Sequence, residues 1–380
     1  MTITFISNYY NHHQHFLSRE LLKRSENFHF IETSQMSEER RKLGYNINSE
    51  KYVVSCDESE NTKNEILSKS DVIIAGNAPP KMINRVASEK VIFHYSERPF
   101  KIKKGWLHSA IRSLKWKIEK RDGAKRYLLC AGAFTSYDYK KCRMYIDRAY
   151  KWGYFPETRR YENIDSLIGE KNHNSLLWVG RFLDWKHPDD ALQVAKRLNA
   201  EGYAFTMNII GTGELEQKLK VMIEQYQLND CVHMLGSMPP ESVREYMESS
   251  QIFLFTSDRN EGWGAVLNES MNSGCAVVAS DAIGSVPYLM QDSENGLIYK
   301  SGDVNMLFEK VKWLLDNQSF AKKYGKKAYE TIVTEWNAEV AAERFLNLAS
   351  HILAGEKHPD LYKTGPCSKA EILKDDWFTI

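Results

Sequence analysis

Glu261 and Glu269 flank the run Gly262-Trp263-Gly264-Ala265-Val266, which leads into a helical pattern ending at Ser273-Gly274. Two glycines just ahead of a helix let the backbone pass close to a ligand. The first turn, Ala265-Val266-Leu267, offers N–H groups without helical partners to an anion. A carboxylate accepts hydrogen bonds without offering any, so acids on either side suit paired sugar hydroxyls. The spacing therefore fits a diphosphate held at a helix start between two acids. On spacing alone, a surface helix with two solvated acids and a turn fits as well.

A second group precedes it. Leu177-Trp178-Val179-Gly180-Arg181-Phe182-Leu183-Asp184-Trp185-Lys186 reads as a strand followed by a loop. Arg181 offers a planar fork and Lys186 a point charge, both suited to phosphate oxygens. Each charged hydrogen bond contributes roughly 1.5–3 kcal/mol, enough for two of them to speed departure of a diphosphate. A third segment, Ile209-Ile210-Gly211-Thr212-Gly213-Glu214, ends a strand and opens a helix. The third glycine of a dinucleotide fingerprint would fall at Glu216, so a nicotinamide or flavin cofactor is disfavoured and a structural turn is expected.

These residues need rigid elements beneath them. Short β-rich runs recur at Ile3–Ser7, Phe28–Ile31, Tyr52–Ser55, Asp71–Ala75, Lys90–His94, Tyr127–Ala131 and Lys151–Tyr154. They continue at Leu176–Val179, Thr206–Ile210, Val232–Leu235, Ile252–Phe255, Ala276–Ala279 and Gly296–Tyr299. Runs such as Val72-Ile73-Ile74-Ala75 are apolar on both faces, as strands covered by helices on two sides must be. The clearest helical patterns are Asp189–Ala200, Glu214–Tyr226, Glu241–Ser250, Val304–Asp316, Ser319–Thr334 and Ala338–Leu353. Strand–helix alternation predicts parallel sheets with right-handed crossovers. The fold class expected is α/β, with two Rossmann-like doubly wound domains facing across a cleft. The polar stretch from Glu162 to Asn174 reads as a linker. The boundaries expected are 1–165, 172–335 and a C-terminal helix and tail, 336–380, crossing back to the first domain. Ligands of such sheets sit outside the carboxyl ends of the strands.

Composition sets the outer bounds. The 380 residues are too many for one core, and 42% hydrophobic with 27% charged residues is ordinary for a globular chain. A net charge of +1 gives no global field for nucleic acid. The start, Met1-Thr2-Ile3-Thr4-Phe5-Ile6-Ser7, lacks the basic flank and apolar run of a signal peptide, and no stretch reaches the roughly 20 apolar residues of a membrane span. Six scattered cysteines argue against a disulfide framework or structural zinc. A reduced, cytoplasmic protein is expected.

The combined pattern, Gly180-Arg181 with Lys186, Ile210-Gly211-Thr212-Gly213, Leu235-Gly236, then Glu261-Gly262-Trp263-Gly264 with Glu269 and Gly274, resembles the retaining, nucleotide-sugar-dependent glycosyltransferases of the GT-B fold, family 4. The resemblance spans Leu176 to about Trp336. It implies that Arg181 and Lys186 hold the donor diphosphate and Glu269 the ribose hydroxyls. Glu261 and the Gly262–Val266 backbone would contact the donor sugar and β-phosphate, with Gly180, Gly211 and Gly236 lining the donor site. It also implies metal-independent transfer with no cofactor beyond the sugar donor, a UDP-hexose by preference over a GDP-sugar. The product would be a bacterial surface polysaccharide or lipid-linked glycan.

The first half resembles the family more loosely. His94, after the apolar run Val91-Ile92-Phe93, is the candidate for a histidine near the sugar and joins Glu261, Arg181 and Lys186 as an expected catalytic residue. Where the family often carries paired glycines, this chain has Asn8-Tyr9-Tyr10-Asn11-His12-His13, so Asn8, Tyr10, His12 and Glu97 are expected on the acceptor side. His12, His13 and His15 lack an acidic partner in sequence, and no metal site is expected.

From Lys101 to Arg160 there are 17 Lys and Arg against 5 Asp and Glu, a local excess of +12. Within it, Leu107, Ala110, Ile111, Leu114 and Ile118 form a helical stripe flanked by Arg112, Lys115, Lys117 and Lys120. Such a helix suits an anionic membrane surface and equally a sheet-packed helix with a basic rim. Peripheral attachment of the Gly105–Arg121 region to the inner face of the cytoplasmic membrane is expected, reaching a glycan or lipid-linked glycan acceptor. Nucleic-acid binding is not. Rival readings on the same fold are a nucleotide-sugar epimerase, a phosphorylase, or a catalytically silent donor-binding partner of a glycan-assembly complex.

Overall fold

A computed structural model describes residues 1–42, 47, 50–86, 89–101 and 125–379. The basic stripe expected over Gly105–Arg121 lies outside the described residues. The chain forms two compact units: Met1–Glu157 with Glu335–Trp377, and Thr158–Thr334 with the end of the chain from Phe378.

The first unit holds a parallel sheet of β1 (Thr2–Ser7), β2 (Asn27–Glu32), β3 (Val53–Val54), β4 (Val72–Ala75), β5 (Val91–Ser96), β6 (Arg126–Ala131) and β7 (Ala149–Trp152). Their order is β3-β2-β1-β4-β5-β6-β7. β4 and β6 are buried along their whole length, which explains the unbroken apolar runs Val72–Ala75 and Tyr127–Ala131. Helix Ala338–Leu353, capped by the Asn337 side chain on the Val340 amide, belongs to this unit. Its Phe345 packs at 4.9 Å from Phe93 and 5.8 Å from Trp152.

The second unit repeats the plan with β8 (Asn172–Val179), β9 (Thr206–Ile210), β10 (Val232–Gly236), β11 (Ser250–Phe255), β12 (Ala276–Ser280) and β13 (Leu297–Tyr299), ordered β10-β9-β8-β11-β12-β13. In both sheets the order reverses beside the first strand, at β1/β4 and at β8/β11. The loops leaving those strands diverge there and leave a crevice at the carboxyl ends. The core of the second unit joins Leu176, Ile209, Ile252 and Val278 of the sheet to Leu192 and Phe308 of flanking helices.

One expectation of the sequence fails in this unit. The polar stretch from Glu162 is not an open linker: Ile164–Glu170 is a helix capped by Asn163 on the Ser166 amide, and β8 begins at Asn172. The helix is polar because most of it is exposed. Ile168 alone is deeply buried, beside Gly274.

Candidate functional site

The loops leaving β8 and β11 are joined side chain to side chain. Lys186 Nζ donates to Glu261 Oε2 at 2.5 Å, and Ser257 Oγ donates to the same oxygen at 3.2 Å. Both charged side chains are nearly hidden, at 13% and 12% exposure, so their attraction is only weakly screened. Lys186 also lies over the Trp185 ring, 4.7 Å from its centroid. Trp178 Nε1 donates to Thr256 Oγ1 at 2.8 Å, and that hydroxyl donates to the Lys186 carbonyl at 2.7 Å. The Asp258 amide donates to the Trp185 carbonyl at 2.9 Å, and His187 Nε2 approaches Asp258 Oδ2 at 3.6 Å. The hydrogen-bonded Asp258 carboxylate raises the His187 pKa. Asp258 itself is held below the usual carboxylate range: burial opposes its charge, but the bonds from His187 and the Asn260 amide outweigh that penalty.

Trp178, Thr256, Ser257, His187 and Asp258 were not singled out in the sequence. Their one legible signal is position: Trp178 stands near the end of β8, His187 in the loop that leaves it, and Thr256, Ser257 and Asp258 directly after β11. His187 also adopts a left-handed backbone (φ 48°) ahead of Pro188, which turns the chain into helix Pro188–Ala200.

The glycines are there because the backbones touch. A Cβ on Gly211 would stand 1.9 Å from the Gly180 carbonyl oxygen, with φ at +141°. The Gly180 amide donates to the Ile210 carbonyl at 3.0 Å and the Gly211 amide to the Gly236 carbonyl at 2.8 Å, so the three glycines join the ends of β8, β9 and β10. A Cβ on Gly264 (φ +79°) would meet the Phe255 ring at 2.3 Å. Gly262 is buried and Glu261 is 9% exposed.

The helix after this turn is short, Val266–Asn272, and no side chain caps it. The Leu267 amide, expected to be open, donates to the Gly264 carbonyl at 3.0 Å, which leaves the amides of Ala265 and Val266 from the expected set. Ala265 is buried and Val266 half-buried. Trp263 is fully buried, its indole N–H donating to Asn268 Oδ1 at 2.8 Å and its carbonyl accepting from Ser285. Its side chain is core, so only its backbone faces the loop side. Glu269 is half-buried on the helix. Arg181 is exposed and has no ion pair or hydrogen-bonded partner for its guanidinium among the described residues.

In the first unit the structure separates residues that the sequence grouped. His94 lies inside β5, which runs two residues further than expected, to Ser96. β5 is covered on both faces as far as His94: the residue is 7% exposed, 5.6 Å from the Tyr145 ring and 3.4 Å from Arg126 Nη1. It therefore sits two residues before the end of β5 rather than at it. Tyr10 is likewise buried, its hydroxyl bonded to Tyr52 and to His15 Nδ1 at 3.0 Å. Burial raises its pKa far above the ordinary phenol value.

Around the true strand ends stand Asn8, His12 and Glu97. The Asn8 carbonyl accepts the Thr33 and Ser34 amides at 2.9 and 2.8 Å. His12 packs 3.9 Å from the His13 ring, and His13 stacks on Tyr154 at 5.7 Å. Burial pushes the His13 pKa well down, so its ring stays neutral. Glu97 accepts from the Tyr154 hydroxyl at 2.6 Å and from Lys101 Nζ at 2.5 Å. Tyr154 and His13 were missed by the sequence, although Tyr154 directly follows β7.

Among the described residues, His187, Asp189 and Asp190 bring potential ligand atoms within 4.8 Å of one another, a cluster the sequence did not suggest. Lys218 occupies Asp189 at 2.9 Å, and burial lifts the Asp190 pKa to about 6. This group is already balanced by protein charge. No helix among the described residues is long and apolar enough to cross a membrane.

Two Rossmann-type sheets, with an acid–base pair at the switch point of the second, define a GT-B α/β protein. Residues 161–331 match the profile of the glycosyl transferases group 1 family. The chain is similar to the amylovoran biosynthesis glycosyltransferase AmsK of Erwinia amylovora, 28% identical over 47% of this chain and 44% of that protein. It is also similar to the poly(ribitol-phosphate) alpha-N-acetylglucosaminyltransferase of Staphylococcus aureus, 28% identical over 45% of this chain and 34% of that one. The matched region thus spans less than half the length of these relatives. Among solved structures, Anabaena HepE in complex with UDP superposes with a TM-score of 0.69 over 92% of this chain and 100% of that one, at 14% identity. At that identity the likeness is one of fold.

Proposed function

We propose that this chain is a glycosyltransferase that moves a hexose from a nucleoside diphosphate sugar, UDP-linked by preference, to an acceptor hydroxyl with retention of anomeric configuration. The destination is a surface polysaccharide or a lipid-linked glycan. The observation that carries the reading is the nearly buried Lys186–Glu261 pair at the carboxyl ends of β8 and β11. A lysine kept dry and aimed by its partner is preorganised to stabilise charge that develops on a departing phosphate. Glu261 then has an oxygen set for a sugar hydroxyl, and the exposed Arg181 supplies the second cation. Glu269 serves the ribose hydroxyls. The acceptor hydroxyl attacks on the face that the diphosphate leaves, and a donor phosphate oxygen takes its proton. Asn8, His12 and Glu97 of the first unit serve the acceptor. The relatives' roles in amylovoran biosynthesis and in poly(ribitol-phosphate) modification support a polymer-building reaction. Two protein cations do the work a metal would do, so transfer is expected to persist in excess EDTA.

A thermal-shift series with UDP, GDP, UDP-glucose and GDP-mannose tests this. A ligand at 100 times its Kd stabilises by about 2.7 kcal/mol, so a rise of several degrees with the UDP series is expected. No shift with any nucleotide would overturn the donor assignment.

A further inference from the structure

The tail after helix Ala338–Leu353 is built into the first unit. The Cys367 amide donates to the Lys151 carbonyl, the Lys151 amide to the Ser368 carbonyl, both at 2.8 Å, and the Ala370 amide to the Ala149 carbonyl at 3.0 Å. Lys369 bridges antiparallel to Tyr150, so the tail runs as an added strand along β7. Lys151 Nζ pairs with Glu371 at 2.9 Å, and Ser136 Oγ donates to the Glu371 carbonyl. Cys367 and Ser368 are each 1% exposed. The tail covers a sheet edge that would otherwise present unpaired backbone groups.

Beyond that edge the tail reaches the loop after β5. Asp375 Oδ1 accepts from Arg98 Nη1 at 2.7 Å. Arg98 is 3% exposed, lies over the Phe134 ring at 4.9 Å, and directs Nε at 3.4 Å to Asp138 Oδ2. Asp138 is fully buried, and the same Oδ2 accepts the Phe100 amide at 3.1 Å. Asp375, Arg98, Asp138 and the Phe100 amide thus form one chain of charged contacts. Glu97 directly precedes Arg98, and its carboxylate is held by Tyr154 and Lys101. A buried arginine needs its charge matched, and losing one partner leaves the rest of the chain free to shift.

We infer that the C-terminal tail is a strap that fixes the Glu97–Lys101 loop, and that Asp375 is a positioning residue acting through Arg98 and Asp138. That this loop serves an acceptor rests on the function proposed above; the strap itself does not.

Hydrogen–deuterium exchange on the full chain tests it with no acceptor needed. In Asp375→Ala, exchange of residues 97–101, and of the Phe100 amide above all, rises at least tenfold. Exchange of 365–371 and of β6 stays as in the wild type, and Asp375→Glu restores protection. Arg98→Lys, which keeps the charge but not the fork, gives the same local loosening with smaller amplitude. Affinity for UDP, a property of the second unit, changes less than twofold. Unchanged exchange at 97–101 in Asp375→Ala, or an equal rise throughout the first unit, overturns the inference. Glu97→Gln separates the two readings: transfer at the wild-type rate would remove Glu97 from acceptor binding and leave the exchange result standing.

Discussion

Lys186 and Glu261 meet across the end of the second sheet although 75 positions separate them in the chain. Removing either partner leaves the other charged and poorly hydrated, which costs about 2 kcal/mol at this degree of burial. Glu261→Ala and Lys186→Ala should each lower the melting temperature by several degrees and reduce transfer at least tenfold. A double mutant Lys186→Met/Glu261→Gln should recover part of the stability and none of the activity. Calorimetry beside a donor-consumption assay distinguishes these outcomes, and additive stability losses would show that the two residues do not act as a pair.

Arg181 gives the opposite signature. It is exposed and bound to nothing among the described residues, so Arg181→Ala should leave stability within about 0.5 kcal/mol of wild type. Transfer should still fall tenfold or more, mostly through weaker donor binding. Wild-type turnover in the folded variant would remove Arg181 from the donor site.

Gly211 and Gly236 separate close approach from backbone strain. Alanine at 211 would bring its Cβ to 1.9 Å from the Gly180 carbonyl oxygen at φ +141°, and should cost more than about 3 kcal/mol in urea unfolding. Alanine at 236 meets nothing within 4 Å at φ +72°, and should cost only about 1 kcal/mol. Equal losses at the two positions would contradict the packing of β8 against β9.

The His187–Asp258 contact predicts a pH window. The His187 pKa is raised in the fold, so its contribution is whole below the unfolded value near 6.5 and disappears as pH climbs through the raised one. The Asp258 pKa is depressed, so its contribution is present above the unfolded value near 4 and is lost as pH falls through the lowered one. The tie between the two loops should be strongest from about pH 4 to just above 6.5. Asp258→Asn should flatten the melting temperature against pH across both limbs. A variant curve parallel to that of the wild type would exclude the pair as the cause.

Every strand of both sheets was legible, because a strand buried on two faces is a short apolar run bounded by turn residues, as Val72–Ala75 and Ile252–Phe255 show. The Lys186–Glu261 partnership was legible only as two cations and an acid following strands; their joining depends on β8 and β11 being neighbours, which periodicity does not reveal. His94 was expected as the last residue of its strand; Tyr95-Ser96 continues β5 although it is less apolar than Val91-Ile92-Phe93, so His94 lies within the strand and is packed. The helix at Ile164–Glu170 was hidden by its brevity: Ile164, Leu167 and Ile168 make one turn of stripe inside an otherwise polar stretch. Tyr10 and Trp263 share a different lesson. A polar or aromatic residue beside a motif is as often its foundation as its contact surface.

The first sheet is finished by residues made after the whole of Thr158–Thr334. Helix Ala338–Leu353 and the strand added at Lys369 close a unit whose other strands were synthesised some two hundred residues earlier, while the second unit takes from that later stretch only the residues from Phe378. The bulk of the second unit can therefore fold on the nascent chain while the amino-terminal one waits for residues 335–377. Pulse proteolysis of chains stalled after Trp336 should find the later-made unit resistant and the earlier-made one still cleavable.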